Sequence, residues 1–105
     1  MTADKVWIVD DDRSIRWVLE KALMQEGLEA TAFEDAQTLL NKLGKEKPHA
    51  IVTDIRMPGI DGLTLLAKIR LEHPDVPVIV MTAHSDLDSA VSSYQGGAFE
   101  YLPKP

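Results

Sequence analysis

The chain contains no cysteine, which excludes a disulfide framework and thiolate metal ligation and agrees with a reducing, cytoplasmic compartment. No apolar run approaches the roughly 20 residues that a bilayer span needs. The start, Met1-Thr2-Ala3-Asp4-Lys5, has neither the charged nor the apolar region of a signal peptide. The reading is a soluble, unexported protein with no membrane role. Positive charge is also scarce. A formal net charge of -6 argues against a nucleic-acid grip by this segment, because phosphate backbones call for clustered Lys and Arg. Pro- or Ser-rich linkers, internal repeats and low-complexity tracts are missing too.

What is present fits one small domain: 105 residues, 45% of them hydrophobic, suffice for a real core. Short apolar runs alternate with helical spacing. The run Val6-Trp7-Ile8-Val9 predicts a strand over 5–10 that is covered on both faces. Ile15, Val18, Leu19, Ala22 and Leu23 then recur as on one helix face, and Gly27 stops that helix. A second strand is expected over 28–33, and a helix with Ala36, Leu39, Leu40 and Leu43 on one side. The third strand, 49–54, runs through Met57-Pro58-Gly59-Ile60-Asp61-Gly62 into a helix over 63–72 that Pro74 ends. A fourth strand spans 76–82, and Ser85 or Asp86 caps a helix carrying Leu87, Ala90, Val91 and Tyr94 that Gly96-Gly97 ends. Residues 98–102 form a short fifth strand. Such alternation predicts an α/β doubly wound parallel sheet with helices on both faces. The alternation also calls for a helix after the fifth strand, so the chain is read as shortened at its C-terminus.

In a doubly wound sheet the functional crevice lies outside the carboxyl ends of the strands. Asp10-Asp11-Asp12 end the first strand, Asp54 the third and Thr82 the fourth, while Lys104 follows the fifth. Carboxylates at that density repel unless a cation joins them, and an oxygen site that keeps several waters suits Mg²⁺. Asp11, Asp12 and Asp54 are the candidate metal ligands. Thr82 would donate a hydrogen bond to a phosphoryl group, Lys104 would set a point charge on its oxygens, and Asp54 would be the nucleophile. Each residue also has a plainer reading. Asp12 before Ser14 serves equally as a helix cap, Thr82 as an ordinary strand residue and Lys104 as a solvated lysine. Joint placement on one rim overturns those readings. His49, His73 and His84 lack a second His or Cys partner and read as surface histidines. Trp17, off the main stripe of its helix, reads as rim packing or a contact surface.

These four blocks, Val9-Asp10-Asp11-Asp12, Thr53-Asp54-Ile55-Arg56-Met57-Pro58-Gly59-Ile60-Asp61-Gly62, Val80-Met81-Thr82-Ala83-His84 and Tyr101-Leu102-Pro103-Lys104-Pro105, resemble the receiver domain of two-component response regulators in order and spacing. The resemblance covers essentially the whole chain, 1–105. It implies the flavodoxin-like receiver fold with strand order 2-1-3-4-5, lacking the usual C-terminal fifth helix. It implies that Asp54 takes a phosphoryl group from a sensor histidine kinase, with Asp11, Asp12, Asp54 and the main-chain carbonyl of Arg56 holding Mg²⁺. Thr82 and Lys104 resemble the phosphate-sensing pair, and Tyr101 the aromatic switch residue. Arg56 and His84 match positions that tune phosphoryl lifetime, and the bond before Pro105 resembles a cis one. The family's role is a phosphoacceptor that promotes its own phosphorylation and dephosphorylation, not a turnover enzyme. A Mg²⁺-dependent phosphatase with an aspartyl-phosphate intermediate is the alternative, weakened because Ile55, Arg56, Met57 and Pro58 offer no general acid. The finer likeness, in 14–20, 81–88 and 97–99, is to regulators that carry an ATPase domain acting on the sigma-54 polymerase and a DNA-binding domain. The apolar surface a missing helix leaves predicts self-association or domain swapping.

Overall fold

Each apolar run becomes a strand, and the strands align in parallel, as helical crossovers between them require. In the computed structural model, which describes residues 3–83 and 95–104, the elements are β1 (Lys5–Val9), α1 (Arg13–Gln25), β2 (Glu29–Phe33), α2 (Ala36–Leu43), β3 (Ala50–Asp54), α3 (Gly62–Glu72), β4 (Val78–Thr82) and β5 (Glu100–Pro103). The sheet order is β2-β1-β3-β4-β5, the doubly wound order expected. Strand order reverses between β1 and β3, where the topological switch point of such a sheet lies. Val9 stands opposite Thr53 there, so Asp10 and Asp54, one residue further on, leave the sheet side by side. The expected helix carrying Leu87 to Tyr94, its caps Ser85 and Asp86, and also His84 and the bond before Pro105 fall outside the described residues. Among the described residues no helix follows β5.

Aspartate starts each of α1, α2 and α3. Asp12 Oδ1 accepts from Ser14 N and Ile15 N, Asp35 from Thr38 N and Asp61 from Thr64 N, satisfying amides that have no intrahelical partner. The end of α1 closes as predicted. Gly27 takes φ 78, the Gly27 amide bonds Met24 O at 3.0 Å and the Leu28 amide bonds Leu23 O at 3.1 Å, the paired bonds of a left-handed helix stop. β5 begins later than its sequence suggests because pairing with β4 sets its register: Ile79 faces Glu100 and Thr82 faces Pro103. A proline is tolerated there because β5 is an edge strand.

Alternating side chains divide the core between the two sheet faces. Trp7, Val9, Ile51, Val78 and Val80 pack under α2 and α3 with Leu39, Leu65, Leu66 and Ile69. Val6, Val52 and Met81 face α1, where Ile15, Leu19 and Leu23 are half-buried. Each fully covered aliphatic side chain contributes about 1.5–3 kcal/mol. The predicted stripe of α1 is thus incompletely covered. Beside it runs an apolar groove of about 380 Å³, lined by Val18, Leu19, Val52, Met81, Leu102 and Pro103 among others. Trp17 is exposed with Lys21 Nζ 5.5 Å from its ring centroid, a contact that ties charge to the ring without burying it.

Candidate functional site

Strand β3 carries Asp54 to the rim as a buried side chain, 4% exposed. Asp10, one residue beyond β1, is 0% exposed, and Asp11 follows it on the surface. Carboxylate oxygens of Asp10, Asp11 and Asp54 lie within 4.8 Å of one another. Lys104 enters from the residue after β5, its amide held by Thr82 O at 2.9 Å. Its Nζ stands 3.0 Å from Asp54 Oδ2 and 3.4 Å from Asp10 Oδ2. The ammonium therefore bridges the two buried carboxylates. Thr82, also buried, ends β4 one residue beyond Met81, the cross-strand partner of Asp54.

The electrostatics follow from burial. Asp10 Oδ1 accepts from the Asp12 amide at 2.8 Å, while Oδ2 is buried and, among the described residues, has no hydrogen bond. Its approach to Lys104 is an ion pair whose geometry falls short of one. Burial raises the Asp10 pKa above its ordinary 3.8, with the charge of Asp54 adding to the rise and the Asp12 amide and Lys104 opposing it. For Lys104, burial alone would lower the pKa, but the hydrogen bond to Asp54 and the charges of Asp10 and Asp54 outweigh it and hold the ammonium above 10.5. A further cation braces the loop: Arg16 Nη1 donates to Asp10 O at 2.8 Å.

The carboxylates named from sequence as candidate metal ligands and those the structure brings together differ by one residue. Asp11 and Asp54 meet as expected. Asp12 instead turns its Oδ1 to the start of α1, the cap that was its plainer reading, and Asp10 supplies the third carboxylate. The sequence held a signal for Asp10: it directly follows the apolar run of β1, as Asp54 ends that of β3. Arg56 lies exposed in the loop after β3, beside an open cavity of about 490 Å³ that Ile55, Met57, Pro58, Asp61 and Leu63 also line. Tyr101 is half-buried and packs against the core under α2 and α3. Two further residues reach Asp54 through its main chain, Thr53 and Gly62, and neither belongs to a residue type that advertises chemistry.

The donor set suits a hard divalent cation. Carboxylate oxygens of three aspartates converge, Asp10 also carries a buried oxygen that, among the described residues, has no hydrogen bond, and three protein ligands leave positions for water, as Mg²⁺ prefers. Without an ion, Lys104 offsets the buried Asp10 and Asp54, and exposed acids such as Asp11 are common with no metal beside them.

Comparison with known proteins agrees with this geometry. The family model for the response regulator receiver domain matches residues 6–105. The chain is 61% identical over 100 residues to the DNA-binding transcriptional regulator NtrC of Escherichia coli strain K12, covering 95% of this chain and 21% of that protein. It thus spans about a fifth of the length of such relatives. Among solved structures, the apo receiver domain of nitrogen regulatory protein C aligns with a TM-score of 0.87 at 59% identity, over 100% of this chain and 85% of that one. The BeF3-activated form of the same domain gives 0.83 at the same identity and coverage. With strand order, strand-end acids and sequence all in agreement, the chain belongs to the response regulator receiver domain family.

Proposed function

We propose that Asp54 is a phosphoacceptor, taking a phosphoryl group from the phosphohistidine of a sensor kinase. The single observation that carries this reading is the grouping of a buried Asp54 with Asp10, Asp11 and Lys104 at one rim. An ionised carboxylate needs no general base to attack phosphorus. The oxygen–phosphorus bond forms as the phosphorus–nitrogen bond breaks, and the electron pair leaves with the imidazole. Asp10, Asp11 and Asp54 would hold Mg²⁺, with the Arg56 carbonyl and waters completing the set. Bound there, the cation supplies charge neutralisation for the transferring group. Lys104 already sits on Asp54 and needs only to exchange a carboxylate oxygen for a phosphoryl oxygen. Thr82 donates its hydroxyl to the same group, and Tyr101, packed beside β4, follows it. The chain accordingly assists its own phosphorylation and dephosphorylation without turning over a separate substrate.

The likeness to NtrC supports a wider reading: a receiver within a longer cytoplasmic transcription regulator, with an ATPase domain acting on the sigma-54 polymerase and a DNA-binding domain outside residues 1–105. The residues here read as one receiver domain. Among the described residues no helix is long and apolar enough to cross a membrane. The apolar groove beside α1 supports self-association of this chain, which sedimentation velocity reads directly.

Incubation with a small phosphodonor and Mg²⁺ tests the central claim. The parent takes up one equivalent of label, and Asp54→Asn takes up none while keeping its fold by circular dichroism. Undiminished labelling of that variant sinks the assignment. Multiple turnover on a phosphate ester would favour the phosphatase reading in its place.

A further inference from the structure

Asp54 is tied to the molecule through its main chain as well as through its carboxylate. The loop after β3 brings the first residue of α3 back against the strand end, where the Gly62 amide donates to Ile55 O at 2.7 Å. The approach is close enough that a Cβ on Gly62 would overlap the Asp54 carbonyl oxygen and lie 2.8 Å from both Asp54 C and Ile55 Cα. All three are backbone atoms, so no rotamer change relieves the contact. The same carbonyl accepts a hydrogen bond from Thr53 Oγ1 at 3.0 Å, and Thr53 is buried at 0% exposure. Two independent contacts therefore converge on one carbonyl, from the strand itself and from the helix.

We propose that Thr53 and Gly62 are positioning residues that set where the Asp54 carboxylate stands. The inference rests on the phosphoacceptor reading above. The Asp54 side chain leaves from the Cα adjoining the clamped carbonyl, so a tilt of that peptide moves the carboxylate. Its surroundings leave little slack: Lys104 Nζ is 3.0 Å away and the neighbouring acids are within 4.8 Å. Relieving the overlap that a methyl at Gly62 creates takes a shift on the order of 1 Å, and a misplacement of that size costs about 10²-fold in a positioning-dependent reaction. Losing the Thr53 hydroxyl is milder, since partners that orient a ligand are worth about 10–100-fold.

The test uses G62A, T53V and T53S in this chain, with labelling rates from acetyl phosphate at saturating Mg²⁺ and crystal structures of the variants. Saturation separates position from metal affinity. G62A is expected to label about 10²-fold more slowly and T53V about tenfold more slowly. T53S keeps the hydroxyl and restores most of the rate, which a purely packing role would not produce. In the structures Asp54 moves by about 0.5 Å or more, the tolerance of a preorganised site. Parental rates in T53V, no rescue by T53S, or an unmoved Asp54 overturn the proposal. If G62A does not fold, the Thr53 pair decides. A parent that takes no label marks failure of the phosphoacceptor reading alone, and the position of Asp54 in the variants still decides this one.

Discussion

Replacing Asp10 with asparagine should stabilise the metal-free domain while weakening its hold on Mg²⁺. Ionised Asp10 and Asp54, with oxygens within 4.8 Å, repel by about 3.5 kcal/mol at an effective dielectric near 20. Lys104, 3.4 Å from Asp10 Oδ2, returns about 5 kcal/mol on the same scale. Withdrawing the fully buried carboxylate from water costs several kcal/mol more, leaving a net penalty on the order of 1–2 kcal/mol. The amide removes that penalty and still offers an oxygen to the Asp12 amide. The raised pKa of Asp10 gives the pH dependence its sign. The folded state binds this proton more tightly than the unfolded state, so ionisation of Asp10 destabilises, and stability is lost as pH rises from 3.8 through the folded value. The advantage of Asp10→Asn therefore grows as pH rises above 3.8 and closes in acid. If the proposed site holds Mg²⁺, the ion should reverse the ranking, because the variant would lack one charged ligand and bind about tenfold or more weakly, and stabilisation by a ligand follows its affinity. Urea unfolding followed by tryptophan fluorescence, with and without Mg²⁺, reads both effects, since Trp7 is buried in the core. A variant less stable than the parent at neutral pH without Mg²⁺, or one with undiminished Mg²⁺ affinity, refutes the reasoning.

Most of the fold was legible because parallel strands covered on both faces write themselves as unbroken apolar runs. Val6 to Val9 and Val78 to Met81 show this, and the polar residues that follow them, Asp10 and Thr82, mark the rim. The carboxylates that meet at the rim were legible to within one residue. Asp10, Asp11 and Asp12 are chemically identical in sequence, and what separates them is where β1 stops. The ladder ends at Val9 opposite Thr53, so Asp10 remains beneath the rim, Asp11 faces out and Asp12 reaches the start of α1. A shift of one residue in that end would exchange their roles, which is why composition and spacing alone did not fix them. The start of β5 was misjudged for a related reason: its residues 98–102 are weakly apolar, and pairing with β4 sets its limits. Thr53 and Gly62 lay beyond reach altogether. Gly62 meets the Asp54 carbonyl through the return of α3 onto the strand end and Thr53 through a hydrogen bond to the next residue's carbonyl, and neither contact shows in a pattern of residue types.

Two further variants separate the roles of the remaining charges. Asp12→Ala removes a helix cap and should lower stability by about 1 kcal/mol, with Mg²⁺ affinity by titration calorimetry close to the parent's. A large loss of affinity would return Asp12 to the metal set. Lys104→Met tests the bridge between Asp10 and Asp54. Removing the cation strands two buried carboxylates, and breaking such a pair costs about 3–5 kcal/mol. The lower end applies because the Lys104 side chain keeps 24% exposure. Mg²⁺ should recover part of that loss by putting a cation back among the same oxygens. A neutral methionine that merely lost packing would gain nothing from the metal. The alkaline limb gives an independent check, because the Lys104 pKa is raised above 10.5. Its contribution is complete below the unfolded value of 10.5 and is lost as pH rises through the folded value. Urea midpoints of parent and Lys104→Met should therefore stay a constant distance apart from neutrality to about pH 10 and converge above it. Convergence already near pH 8 would mean that Lys104 is not held by the two carboxylates, and the rim would lose the charge that keeps Asp54 in place before phosphorylation.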